Sequence, residues 1–167
     1  MKLMTSSRNL VLAAALAGVA APALAATATS TFQVSGQVVA TCSISATPLN
    51  FGTTIPTPVN SNIDVASTIT ATCSNAVAYT IALNAGQGAG ATMASRKMSS
   101  GVNTVNYTMY TDAARNTVWG DGTAGSAVNS LTGTGGAQAI PVYGRIPSGQ
   151  APATGTYNDT ILVTLTF

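Results

Sequence analysis

The side chains with the clearest chemical potential are four carboxylates, and their pattern does not form a catalytic set. The sequence has no histidine and no glutamate, so its acids are Asp64, Asp112, Asp121 and Asp159. A Ser-His-Asp triad, a Cys-His dyad and a paired-glutamate glycosidase site all need residue types that are missing. None of the aspartates stands in an Asp-Thr-Gly or Asp-Ser-Gly setting, and they are too scattered to indicate a calcium site. We expect neither catalysis nor a metal from them.

Two other patterns have a chemical interpretation and a simpler structural one. Lys97, with Ser95 and Ser99 beside it, has the residue types of a Ser-Lys site, but a solvated loop lysine explains it better. Residues 120–125 match G-x-G-x-x-G, yet no predicted helix follows to supply an anion-binding N-terminus. A turn built around Asp121-Gly122 is the better interpretation. The sequence therefore predicts a protein that is not an enzyme and uses no cofactor.

The first 25 residues have the organisation of a secretory signal peptide. Lys2 and Arg8 precede an apolar run at residues 10–20, and residues 23–25 form a small-x-small cleavage site. The apolar run is shorter than the roughly 20 residues that a membrane-spanning helix needs. Cleavage leaves four cations and four aspartates, a net charge of 4 − 4 = 0. Such a surface does not attract nucleic acid or anionic lipid, so we expect no nucleic-acid partner and no direct membrane insertion.

Two cysteines, Cys42 and Cys73, follow the secretion signal. An oxidising compartment favours their pairing in a disulfide, with two free thiols as the alternative. The bond would close a loop of about thirty residues and stabilise the fold by roughly 3 to 4 kcal/mol in the chain-entropy model. Without histidine, two cysteines cannot form an ordinary zinc site.

The rest of the chain has the pattern of an all-β domain. Short segments rich in Val, Ile, Thr and Tyr alternate with Gly and Pro turns, which is typical of a sandwich or barrel. The predicted strands are 32–40, a short one at 49–51, 63–73, 77–84, 105–111, 117–119, 138–146 and 156–167. In this pattern, Trp119 is expected to anchor the core, and residues 112–115 are expected to form a turn with an Asp112–Arg115 ion pair.

Both ends of the mature chain alternate with period two, which indicates strands with one apolar face. The apolar face of the C-terminal strand carries Ile161, Val163, Leu165 and Phe167. The apolar face of the N-terminal segment carries Phe32, Val34 and Val38, with Gly36 between them. A strand at a chain end can pair with another chain as easily as with its own.

Several segments together resemble the spore coat protein U domain, a family that includes the Csu-type subunits of archaic chaperone–usher pili. The matching segments are residues 107–115, 118–120, 141–147 and 155–167, supported by residues 49–52 and the Cys42/Cys73 pair. The C-terminal motif is the specific part, and the likeness extends over essentially the whole mature chain.

The resemblance implies an incomplete immunoglobulin-like sandwich that lacks its last strand. The gap would leave an apolar groove beside Ile161, Val163, Leu165 and Phe167. In this family a periplasmic chaperone first fills the groove, and at the outer-membrane usher the N-terminal extension of another subunit replaces it. By this likeness, Phe32, Val34 and Val38 are the donor side chains. The expected partners are therefore identical or related subunits, a periplasmic chaperone and an outer-membrane usher.

The domain organisation that follows has three parts. We expect a signal peptide at 1–25, a donor-strand extension at 26–40 and a pilin domain at 41–167. The protein would pass through the periplasm to the cell surface, where its pilus serves attachment and biofilm formation. Two alternatives stay open: a secreted coat protein of the same domain that does not polymerise, and a small carbohydrate-binding sandwich.

Overall fold

The computed structural model describes residues 25–167, which are all-β. The predicted signal peptide lies outside this range, apart from its last residue. Among the described residues there is no helix, and so none long and apolar enough to cross a membrane. The eight strands are β1 (Cys42–Ala46), β2 (Ile63–Cys73), β3 (Ala78–Leu83), β4 (Arg96–Ser100), β5 (Asn103–Tyr110), β6 (Asn129–Thr132), β7 (Ala137–Ile146) and β8 (Val163–Thr166). All of them belong to one compact unit, Val38–Phe167.

The strands form two antiparallel sheets. The larger sheet has the order β1-β2-β7-β5-β4, and the smaller has the order β6-β3-β8. The longest ladder joins β2 to β7, from Ile63 opposite Ile146 to Thr72 opposite Ala137. Every ladder between these strands is antiparallel, although most paired strands, such as β2 with β7 and β3 with β8, are far apart in the sequence.

The alternating apolar residues of both sheets meet in a single core. On β2 the inward residues Ile69, Ala71 and Cys73 are buried, and on β3 they are Tyr79, Ile81 and Leu83. Trp119 is fully buried, as predicted, and its Nε1 donates a hydrogen bond of 2.9 Å to the carbonyl oxygen of Ile81. Two sheets with facing apolar sides form a β-sandwich, the fold class that the sequence predicts.

The strand predictions succeed where the sequence alternates strongly. The segment 63–73 is β2 itself, and β3, β5 and β7 lie at the predicted positions to within two residues. Three strands, β1, β4 and β6, were not predicted. The predicted strand at 49–51 was wrong, and 117–119 makes only isolated bridges. The C-terminal strand is confined to Val163–Thr166. In the chain before it, Asn158 makes only an isolated bridge to Ser99, and the Leu162 amide donates to the Asn84 side chain.

The disulfide lies where β1 begins. Cys42 and Cys73 face each other in the β1–β2 ladder, and their sulfur atoms are 2.01 Å apart. The adjoining pair is also held, since the Ser74 amide donates to the Thr41 carbonyl oxygen at 2.9 Å and the Thr41 amide donates to Ser74 Oγ at 3.1 Å. The start of β1 is thus fixed to β2 by a covalent bond and by hydrogen bonds.

One ion pair differs from the prediction. Arg115 pairs with Asp64 at 3.2 Å rather than with Asp112, and Asp64 also receives a bidentate contact from Arg145 at 2.7 and 2.8 Å. Asp112 instead accepts the backbone N–H groups of Asn116 and Thr117, which closes the turn. The Arg145 hydrogen bonds, aided by both guanidinium charges, lower the pKa of Asp64. This pairing links β2 to β7 across the outer face of the larger sheet.

We expect Cys42→Ser to reduce the secreted yield sharply, because the loss of a native disulfide costs a small domain about 2 to 5 kcal/mol. Intact-mass measurement without reductant, together with quantification of the secreted protein, tests this. Ser43→Ala changes the outward-facing neighbour and should leave the yield unchanged. Two alkylatable thiols in the native secreted protein would contradict the bridge.

Candidate functional site

The feature that sets this sandwich apart is a pair of unpaired strand edges. Among residues 25–167, β8 pairs only with β3 and β1 only with β2, so each ends its sheet with one free edge. The two strands approach within 8 Å between Cα atoms without forming a ladder. Unpaired N–H and C=O groups along such edges are a template for another strand.

An apolar groove of 540 Å³ opens between the sheets beside these edges. Its floor consists of core side chains from both sheets, and its rim consists of the chain that leaves β1 and the chain that enters β8. The apolar lining residues are Leu49, Phe51, Ile55, Ile69, Leu83, Met98, Tyr107, Met109, Val142, Ile161 and Val163. The groove is therefore a gap in the core that reaches the surface.

Strand β8 itself shows that its apolar face is incompletely covered. Ile161, Val163 and Leu165 pack against the core but are only half-buried, whereas Thr164 and Thr166 face solvent. By contrast, Ile81 and Leu83, which lie opposite β8 in the β3 ladder, are no more than 1% exposed. The fourth residue of the predicted face, Phe167, is 58% exposed. The apolar face of β8 is the one predicted from the sequence, and it lacks a neighbour on one side.

A polar anchor holds the chain that leads into β8. Asp159 accepts a hydrogen bond of 2.7 Å from Tyr107 Oη on the groove floor, and bonds of 2.8 Å from the amides of Gln87 and Thr160. Burial, together with the hydrogen bond to Asp159, raises the pKa of Tyr107, so this hydroxyl stays a donor. The carboxylate thereby fixes the end of the groove where β8 begins.

A buried arginine, Arg96, also stabilises the end of the groove where β8 begins. Arg96 is fully buried, and its guanidinium donates to the carbonyl oxygens of Asn84, Met93 and Trp119 at 2.9, 3.0 and 2.7 Å. Burial lowers the pKa of Arg96. Asn84, which this guanidinium holds, in turn accepts the Leu162 amide on its Oδ1 at 2.9 Å. Within residues 25–167, every buried side-chain polar atom has a hydrogen-bond partner.

The opposite rim was missed by the sequence analysis as part of a site. The side chain of Leu49 lies over Gly144, where any Cβ would be only 2.6 Å from Leu49 Cδ2, and the ring of Phe51 meets that of Tyr107 edge-on at 5.8 Å. Residues 49–52 match the family pattern, but nothing in their composition indicated that they border a groove. The only available signal was a glycine, Gly144, between the large residues Tyr143 and Arg145 of β7.

The N-terminal segment of the described chain is exposed and forms no strand. Residues 25–37 have no regular secondary structure, and the side chains of Phe32 and Val34 are 87% and 83% exposed. Val38, the first residue of the compact unit, is 98% exposed. The strand predicted at 32–40 is therefore not formed in the chain alone. All three apolar side chains assigned to the donor face are exposed.

The residues first considered for chemistry do not converge. Lys97 lies on β4 and is half-buried, so the expectation of a solvated loop lysine was wrong, and its Nζ donates to the Ala89 carbonyl oxygen at 3.1 Å. Asp121 accepts from Thr123, which gives the loop at residues 120–125 a local turn. No group of three potential metal ligands occurs in the part of the chain that the structure describes.

Comparison with known proteins places this architecture in a family. The model of the Spore Coat Protein U domain matches residues 28–164. Protein U of Myxococcus xanthus is 37% identical over 160 residues, which cover 87% of this chain and 88% of the relative. The chain belongs to the Spore Coat Protein U domain family.

A solved structure supports the fold of this Spore Coat Protein U domain. The crystal structure of the CsuC–CsuE chaperone–tip adhesion subunit pre-assembly complex, from the archaic chaperone–usher Csu pili of Acinetobacter baumannii, matches with a TM-score of 0.56 and 26% identity. The match covers 78% of this chain and 40% of the other chain, so this protein spans well under half the length of that neighbour. The family resemblance and the immunoglobulin-like, all-β fold predicted from the sequence are confirmed.

We expect Tyr107→Phe to destabilise the domain by about 1.5 to 3 kcal/mol, because it removes a buried hydrogen bond to a charged group. Residues 159–166 should also exchange their amide hydrogens faster, since their anchor is weakened. Urea unfolding and hydrogen exchange measure both effects. Tyr157→Phe is the matched control, because its hydroxyl donates at the surface to the Ala153 carbonyl oxygen, at 2.8 Å. Equal effects from both substitutions would refute the anchor.

Proposed function

We propose that this protein is a structural subunit of a secreted surface pilus, which polymerises by donor-strand exchange and serves attachment and biofilm formation. The observation that carries the proposal is the open apolar groove beside β8, together with an exposed apolar segment at the other end of the same chain. The N-terminal extension of one subunit, an identical or related chain, would occupy the groove of its neighbour.

The chemistry of the extension fits such a groove. In an extended strand Phe32, Val34 and Val38 point to one side, and Gly36 leaves a gap between them. Burial of three such side chains stabilises by roughly 5 to 9 kcal/mol, at about 1.5 to 3 kcal/mol each. Association entropy offsets part of that gain, and main-chain hydrogen bonds along the free edge of β8 add to it.

The exposed groove implies that the subunit needs protein partners during its export. A subunit with a free edge and an open core is prone to aggregate before it is assembled. A periplasmic chaperone that lends a strand would cover Ile161, Val163, Leu165 and Phe167, and an outer-membrane usher would be the place of exchange. The pre-assembly complex of a chaperone with a pilus subunit, found among the structural neighbours, supports this order of partners.

The groove has the character of a docking surface rather than of a reaction site. Its ionisable lining residues, within the described chain, are Tyr107, Tyr157 and Asp159. Tyr107 donates its hydroxyl to Asp159, and Tyr157 donates to a backbone carbonyl oxygen, so all three have structural partners. We therefore assign the chain no catalytic role.

A second candidate function comes from the relative Protein U and the family name. A coat protein of the same domain could cover cells or spores without forming a fibre. It would still have to fill the groove, so the two candidates differ in whether the filling strand comes from a neighbouring subunit. Val34→Asp separates them, because loss of surface fibres with a normal level of soluble subunit is expected only if the filling strand comes from a neighbouring subunit.

The mature protein without residues 26–39 should aggregate when it is alone, because it keeps the open groove and loses the strand that another copy could use. A synthetic peptide of residues 26–39, or a chaperone, should restore solubility. Size-exclusion chromatography and thermal melting of the truncated protein test this. A well-behaved, cooperatively melting monomer of the truncation would overturn the groove as a binding site.

Val34→Asp should abolish surface fibres and leave the chaperone-bound subunit near normal levels. The new carboxylate would have to be desolvated within an apolar interface, at a cost of several kcal/mol. The subunit itself should fold, since Val34 is 83% exposed in the isolated chain. Fibre counts by electron microscopy and periplasmic subunit levels measure the two effects.

Gln33→Asp is the matched control, because it introduces the same charge on the other face of the extension. It should leave fibres intact. Normal fibres with Val34→Asp would show that the donor face is wrongly assigned. Loss of the soluble subunit would show that the segment packs on its own domain.

A further inference from the structure

The extension leads directly into the strand that borders its own groove. Only residues 39–41 separate Val38, the last apolar residue of the extension's pattern, from β1, which begins at Cys42. We propose that these residues disfavour a hairpin onto β1, so that the extension is directed to the groove of a second copy of this chain. This inference rests on the proposed function. It adds that the connecting residues keep the extension from filling the groove of its own subunit.

The inward face of β1 decides what a hairpin would place in the groove. The inward side chains are those of Cys42, Ile44 and Ala46. Across the β1–β2 ladder they oppose the buried Cys73, Ala71 and Ile69. Ser43 and Ser45 point to solvent. Because directly opposite residues of an antiparallel pair share one face, a strand added to the free edge of β1 points inward only opposite Cys42, Ile44 and Ala46.

A two-residue turn would present the wrong face of the extension. With Val39 and Ala40 as the turn, Gln37 would lie opposite Cys42 and Ser35 opposite Ile44. Val34 would then lie opposite the exposed Ser45. The polar side of the extension would enter the groove and its apolar side would face water. These two residues also suit the turn poorly, since tight hairpin turns need positive φ and favour Asn and Gly.

Three-residue turns restore the correct face but carry other penalties. A turn of residues 38–40 removes Val38 from the apolar face and puts Ala40 where such loops favour glycine. A turn of residues 39–41 would place the β-branched Thr41 at the left-handed position. That backbone change would disturb the bonds by which Thr41 extends the β1–β2 ladder to Ser74. Each short connection therefore opposes closure onto the subunit's own groove.

Two designed turns that differ in the pairing register between the extension and β1 test this inference. One variant deletes Val39 and carries Ala40→Asn with Thr41→Gly, which creates an Asn-Gly turn that places Val38 opposite Cys42 and Val34 opposite Ala46. The matched control carries Val39→Asn with Ala40→Gly and no deletion. It has an equally good turn, but its polar face points inward. Thr41→Ala alone controls for the loss of the Thr41 side chain, because it supplies no glycine at the left-handed position of the 39–41 turn.

We expect the deletion variant to be a soluble, cooperatively melting monomer without chaperone and to form no fibres. The control variant and Thr41→Ala should depend on the chaperone and form fibres as the wild type does. Hydrogen exchange should show that the amides of Val163–Thr166 that face away from β3 are protected in the isolated deletion variant and unprotected in the other two. Identical behaviour of the deletion variant and its control would overturn the inference.

The wild-type mature chain gives a second readout that does not depend on the folding of any variant. After its release from the chaperone, unprotected amides on the free edge of β8 support the inference, whereas a stable monomer in which these free-edge amides are protected overturns it. Failure of the proposed function would look different. In that case the truncation lacking residues 26–39 would itself be a stable monomer, and Val34→Asp would not affect assembly.

Discussion

The structure depends on the outer edge of β8, which needs a neighbouring strand and has none among the described residues. A strand at the end of a sheet has unpaired backbone groups, and here the same strand also has a half-buried apolar face. The two deficits coincide in space, because the groove opens between the sheets where β8 and β1 end them. A single added strand would satisfy both, with hydrogen bonds for the edge and alternate apolar side chains for the groove. Because one strand meets both needs, the edge and the groove together would specify a partner without a catalytic or metal-binding group.

The groove has to persist while it is empty, and the polar contacts around it serve that purpose. An open cleft lined by apolar side chains tends to collapse, since burial of its walls against each other is favourable. Asp159 ties the chain before β8 to Tyr107 and Gln87, and Arg96 ties the loop at Asn84 to Met93 and Trp119. Apart from the local Arg96–Met93 contact, these bonds link segments that are distant in sequence. The hydrogen bonds thus hold the rim apart at the end where β8 begins.

The sequence predicted the parts of the fold in which alternation is strong and local. Strand β2 was placed correctly because Ile, Val and Thr alternate over its whole length. Strand β4 was missed because its inward residue is Arg96, and burial of a charged side chain cannot be inferred from a pattern that assigns charges to the surface. Of the candidate site, the apolar face of β8 was predictable from period two. The rim at Leu49 and Phe51 was not, since it depends on a loop folding over Gly144 from another strand.

Partner choice in such a system has to come from shape and apolar pattern, because charge offers little information. Residues 26–167 carry four cations and four aspartates and so have no net charge. The side-chain carboxylate that lines the groove already accepts hydrogen bonds from Tyr107, Gln87 and Thr160. An incoming strand therefore meets no free charge to steer it, and its approach is not accelerated by electrostatics. What remains to discriminate strands is the spacing of large side chains and the position of a glycine. A polymer built on this rule would be specific in register, since a shift by one residue exchanges the apolar face for the polar one.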